Sequence, residues 1–166
     1  MAARHQADPK HLLHFSEDPT IKRFVPHVPE TNPGQPPLVW TIDEDHAPLF
    51  WFPRDCPRIT FWSSGGPRVH AMEEAWVERM RSCQLFVYRF APAHFRPSPD
   101  ADGYWVSVTE QLPLGVEPAG DLFERHRQRG IELRIVPDLR PVRDAVLASE
   151  SRFSMCRMAN VSPPCA

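Results

Sequence analysis

The chain has 166 residues, 42% hydrophobic and 24% charged, with a formal net charge of −2. That balance suits one domain, long enough to bury roughly two-thirds of its unfolded surface, and it lacks the bulk positive charge of a nucleic-acid binder. No apolar run reaches the ~20 residues of a membrane span, and the polar opening M-A-A-R-H-Q-A-D-P-K-H has no apolar signal core.

In chain order, residues 1–11 read as a disordered leader and residues 12–160 as the domain. Leu12–Ser16 is a first short strand, whose alternation puts Leu13 and Phe15 on one face and His14 and Ser16 on the other. Asp18 caps a single turn with Pro19 in its first position. Pro26 to Pro37 carries five of the twenty prolines and must be an extended loop, because proline lacks a donor and biases its neighbour away from helix. Leu38–Ile42 is a strand, and Asp43 caps a short helix through Trp51. The double-proline turn F-P-R-D-C-P-R then leads to a strand ending I-T-F-W.

Pro67 opens a helix to about Ser82, with Val69, Met72, Trp76, Met80 and Cys83 at helical spacing. Gln84–Phe90 and Tyr104–Val108 are strands, and Gln111–Pro118 is extended. Asp121 caps a helix that stops at Gly130, with Ile131 making the contact of a left-handed cap. Ile131–Val136 is a strand, Asp138 caps a last helix, and Phe153–Met158 returns as an edge strand before a flexible tail at 161–166. The expected class is α+β: a mixed, largely antiparallel sheet flanked by three main helices.

The candidate chemistry gathers around two stretches. His14 and Ser16 share a strand face, and histidine is the commonest acid–base residue near neutral pH. A histidine merely hydrogen-bonded beneath the proline-rich loop is the structural alternative. Arg54 and Arg58 flank Cys56 on a proline-stiffened turn. Two guanidinia there suit a bidentate clamp on a phosphate or carboxylate, and an exposed thiol between them would be acidified toward a nucleophile. The alternatives are an ion-pair network with neighbouring carboxylates and a buried thiol. Trp40 and Tyr104 are candidate stacking walls for a base, or core. His46 beside Asp43 and Asp45 is an oriented base or a solvated helix face, since zinc-type ligand spacing is absent. Four cysteines, Cys56, Cys83, Cys156 and Cys165, stand without C-x-x-C pairs, which points to free thiols in a reducing cytoplasm.

H-F-S-E-D-P-T-I-K-R-F-V-P-H-V-P, V-W-T-I-D-E-D-H-A-P-L-F-W-F-P-R-D-C-P-R, the Tyr104–Ser107 run and I-E-L-R together resemble a bacterial family of uncharacterised proteins, over nearly the whole chain. A more remote likeness is to the ADP-ribosyltransferase-like fold. Leu12, Leu13, His14 and Ser16 match its opening L-h-H-x-[ST] strand, and Val39–Ile42 with Ala47 roughly matches its later strand and short helix. That likeness implies that His14 contacts the ribose or carboxamide side of NAD. It departs in lacking a diagnostic catalytic glutamate: Glu110 and Glu132 are the residues available. Two function classes follow. One is a domain or small enzyme that handles a small anionic or nucleotide-like ligand; the other is a non-catalytic protein-interaction domain.

Overall fold

The computed structural model describes residues 8–30 and 32–163; most of the leader, the last three residues and Cys165 lie outside them. In chain order the strands are β1 (Leu12–Ser16), β2 (Val39–Ile42), β3 (Arg58–Trp62), β4 (Arg68–Glu73), β5 (Phe86–Phe90), β6 (Arg96–Pro97), β7 (Tyr104–Ser107), β8 (Gly115–Pro118), β9 (Glu132–Val136) and β10 (Phe153–Cys156). The helices are α1 (Val77–Ser82), α2 (Leu122–Gln128) and α3 (Arg140–Leu147). The class is α+β, as patterning predicts, and the strands divide between two sheets instead of forming one. The chain makes two compact units, Met1–Pro48 with Phe86–Pro118, and Leu49–Leu85 with Ala119–Ala166.

The first unit holds the antiparallel sheet β6-β7-β2-β1-β5-β8. His14 lies opposite Tyr88 and Leu12 opposite Phe90, so one face of β1 carries Leu12, His14 and Ser16. That face builds the core, with Leu12, Phe24, Val39, Tyr88, Phe90, Phe95 and Trp105 in one cluster. The fully buried Tyr88 donates its hydroxyl to the Asp18 carbonyl at 2.5 Å and accepts from the Ile21 amide at 3.1 Å. It thereby ties the segment after β1 over the core. The proline-rich loop has only isolated bridges, Phe24 with Gln111 and His27 with Leu38, since its prolines cannot sustain a ladder.

The second unit holds the sheet β10-β3-β4-β9, in which β4 and β9 run parallel. Ile59, Phe61, Val69 and Ala71 pack with Leu139 and Val146 of the α3 region. The opposite face carries Arg58, Thr60, His70 and Met72, whose pairings Arg58–Met72 and Thr60–His70 keep them in register. Glu73 is fully buried; its carboxylate accepts the amides of Leu139 at 3.2 Å and Ser162 at 2.9 Å.

Two predicted helices are corrected. The stretch from Arg68 to Glu73 is a strand, followed by a 3₁₀ turn at Glu74–Trp76 and then α1. R-V-H-A-M-E satisfies both a period of two and a period of 3.6, and pairing to strands on both sides decides it. The helix expected after Asp43 shrinks to a 3₁₀ turn at Ala47–Phe50. Asp43 still caps, accepting the His46 amide at 2.9 Å. Asp121 caps α2 through Glu124 as expected, and Gly130 ends the region at φ +69°.

Candidate functional site

The turn F-P-R-D-C-P-R is tight: the Cys56 amide donates to the Pro53 carbonyl at 3.0 Å. Arg54 is exposed and Arg58 is buried. The Arg58 guanidinium donates to the carbonyls of Leu49 at 2.9 Å and Cys56 at 3.0 Å. It also lies 5.7 Å and 5.2 Å from the ring centroids of Phe50 and Phe52. Arg58 therefore braces the turn from inside, and the two-arginine clamp expected from spacing is replaced by one internal and one external guanidinium. Cys56 is likewise corrected. It is fully buried, and burial pushes its thiol up to about 12, outweighing the acidifying charge of Arg58. A thiol so placed stays protonated and is a poor nucleophile.

Beside this turn sits a pair that spacing did not single out. His70 and His126 are both buried, and His70 Nδ1 lies 2.9 Å from His126 Nε2. His126 Nδ1 lies 2.7 Å from the Leu122 carbonyl, which only accepts. So His126 carries its proton on Nδ1, its Nε2 accepts, and His70 donates from Nδ1. That leaves His70 Nε2 as a buried nitrogen with no hydrogen-bond partner. Phe52 packs on both rings, at 5.5 Å and 5.1 Å between centroids, and Trp51 on His126 at 5.6 Å. Burial first, then His126, Arg68 and Arg58, hold His70 down to about 2. Burial also lowers His126, against the raising effect of the Leu122 carbonyl. Both imidazoles are thus neutral. A helical reading of Pro67–Ser82 hides the pair, because only as part of β4 does His70 reach His126. The legible signal was Leu122 and His126, one turn apart on the buried stripe of α2.

In the first unit, His14 is half-buried and its Nδ1 donates to the Trp40 carbonyl at 3.0 Å. Its ring meets Phe24 edge-on at 4.9 Å. Ser16, buried, accepts the Asp18 amide at 3.1 Å. Leu13 lies opposite Ile42, and Ile42 opposite Tyr104, so Trp40 and Tyr104 occupy the face opposite to His14. Those two rings make a T-shaped contact at 6.0 Å. His46 donates from Nδ1 to the Asp43 carboxylate at 2.7 Å.

Among the described residues, no group of three or more His, Cys, Asp or Glu side chains is placed to hold a metal ion. No helix among them is long and apolar enough to cross a membrane. The sequence profile of the DUF6886 family, a family of unknown function, matches residues 13–161. The chain belongs to that family. The match takes in β1, both long motifs and strands of both sheets in this DUF6886 chain. Comparison with curated proteins and with solved structures returned no match.

Proposed function

We propose that this chain handles a nucleotide-like ligand, with NAD the first candidate, and that His14 is the residue that reads it or exchanges a proton with it. The observation that carries the reading is the His14–Trp40 contact at 3.0 Å. It fixes the imidazole tautomer on a strand inside the sheet, and Ser16 shares the same face. The remote likeness to the ADP-ribosyltransferase-like fold assigns its first strand this same histidine and hydroxyl. It also asks for a later strand running into a short helix with an alanine, and here β2 is followed by a 3₁₀ turn opening on Ala47. The fit is of an imidazole and a hydroxyl beside the aromatic rings of Phe24 and Tyr88. When bound, NAD supplies an electrophilic ribosyl carbon; His14 orients the ligand or carries a proton.

The test is thermal unfolding with NAD, ADP-ribose, ATP and inorganic phosphate. A ligand at 100 times its Kd raises stability by about 2.7 kcal/mol, a shift of roughly 5–10 °C at this size. His14→Ala should remove the shift without lowering the unliganded midpoint by more than a few degrees. No shift with any of the four at millimolar concentration would sink the reading.

A second reading, a protein-interaction domain, is favoured by one observation. Val25, Val28, Val108, Leu112, Leu114 and Val116, all in the first unit, are exposed apolar side chains. Apolar surface gathered on one stretch of a fold marks contact sites. Replacing Leu112 and Leu114 by Ser should then abolish an association visible by light scattering while leaving any nucleotide shift intact.

A further inference from the structure

We propose that the His70–His126 pair is a proton-operated latch on the F-P-R-D-C-P-R turn: when the pair takes up a proton, the turn loosens and the Cys56 thiol becomes accessible. The inference is independent of the nucleotide reading.

A chain of contacts connects the pair to the backbone of Cys56. Phe52 lies against both imidazoles and, on its other contact, against the Arg58 guanidinium. Arg58 in turn donates to the Cys56 carbonyl at 3.0 Å and to Leu49 at 2.9 Å. Trp51, immediately before the turn, meets His126 at 5.6 Å and the Arg125 guanidinium at 5.2 Å. The turn is therefore held by aromatic rings clamped between neutral imidazoles and cations.

An added proton has one place to go. Both Nδ1 atoms already carry protons in the donor chain that ends at the Leu122 carbonyl, and His126 Nε2 accepts from His70, so the proton falls on His70 Nε2. The charged groups acting there are Arg58 on β3 and Arg68 on β4, with Arg125 of α2 over Trp51. The nearby carboxylate Glu73 is committed to the amides of Leu139 and Ser162. The other ionisable groups of the turn are Arg54 and Asp55, both exposed, and the buried Cys56 thiol, with the Cys83 thiol near it. An imidazolium would thus sit buried among guanidinia, which opposes the closed arrangement and favours an open one where the charge is hydrated.

The sign follows from linkage. In the closed state His70 is held at about 2, whereas a hydrated histidine titrates near 6.5. Closed-state stability is therefore complete above about pH 6.5 and is lost as pH falls toward the closed value. Opening gains about tenfold per pH unit for each imidazole released.

The test is Cys56 labelling by 4,4′-dithiodipyridine, which reacts with thiols in acid, on the full chain carrying Cys83→Ser, Cys156→Ser and Cys165→Ser. Divided by the rate of a free cysteine with the same reagent at each pH, which cancels the fall in thiolate fraction, labelling should accelerate about 25-fold between pH 7 and pH 5, from one imidazole. His70→Phe with His126→Leu should make this relative rate flat. A flat or falling relative rate in the parent, or an equal rise in the double variant, overturns the latch. If the double variant does not fold, hydrogen exchange on the parent decides. Loss of protection first at residues 51–58 and 122–128 supports the latch, and uniform loss overturns it.

Discussion

The guanidinium of Arg58 reaches back to the carbonyl oxygen of Leu49 at 2.9 Å, nine positions earlier, so one side chain closes the segment between them on itself. With its second bond to the Cys56 carbonyl at 3.0 Å, it satisfies two backbone acceptors that a proline-rich turn cannot pair with its own donors. Arg58→Met removes both donors and leaves those oxygens buried. At about 1–3 kcal/mol for each unsatisfied group, the variant should lose roughly 2–6 kcal/mol in urea unfolding. Arg58→Lys, with one compact donor group in place of a fork, should fall between the two. Loss of under 0.5 kcal/mol in the Met variant would show that the brace is decorative.

Glu73 makes a related prediction. Its two carboxylate oxygens accept two backbone amides, and a glutamine has only one oxygen to offer. Glu73→Gln should cost about 1–3 kcal/mol, the penalty of one unpaired buried amide. The local signature is faster hydrogen exchange at Leu139 or Ser162 with little change at β1. Unchanged exchange at both amides would contradict it.

Gly103 has φ +83°, and a Cβ there would stand 2.2 Å from His46 Cγ. Gly103→Ala therefore carries backbone strain of about 1–2 kcal/mol plus the cost of displacing the imidazole, for a total of roughly 2–4 kcal/mol. The two parts separate in a double-mutant cycle: in a His46→Gly background only the backbone part should remain. Equal costs in both backgrounds would refute the steric assignment.

Tyr88→Phe keeps the ring in the first unit's core and deletes the hydroxyl that joins the Asp18 carbonyl to the Ile21 amide. We expect a loss of about 1–2 kcal/mol and faster exchange at Ile21, with the exchange of β5 amides unchanged. If β5 exchange rises as much as that of Ile21, the hydroxyl supports the whole unit and not the segment after β1.

The strands and caps were legible in the sequence wherever local chemistry has one reading. Alternation marked β1, and the side-chain oxygen of Asp121 marked the start of α2. The Pro67–Ser82 stretch was not legible, because its apolar positions satisfy two periods and only the flanking strands β3 and β9 choose between them. The turn at residues 52–58 was picked out by its prolines. The direction of Arg58 was not, since an arginine beside a cysteine looks the same whether it points outward or folds back onto carbonyls. The two histidines lie 56 positions apart, and no local pattern joins residues at that separation.

The parallel pairing of β4 with β9 sets Val69 beside Glu132, and between those positions the chain contributes β5, β6, β7 and β8 to the other sheet. Neither sheet is contiguous in sequence. During synthesis β3 and β4 must wait as a hairpin, the β4 edge open until residue 136 has emerged and the β3 edge until β10, while β5 and β7 pair with β1 and β2 and carry β8 and β6 at the outer edges. Non-local pairing of this kind slows folding, and an uncovered edge invites pairing with other chains. Assembly of this protein is therefore most exposed to aggregation in that interval, and a chaperone that shields one β-edge would change its yield more than its final stability.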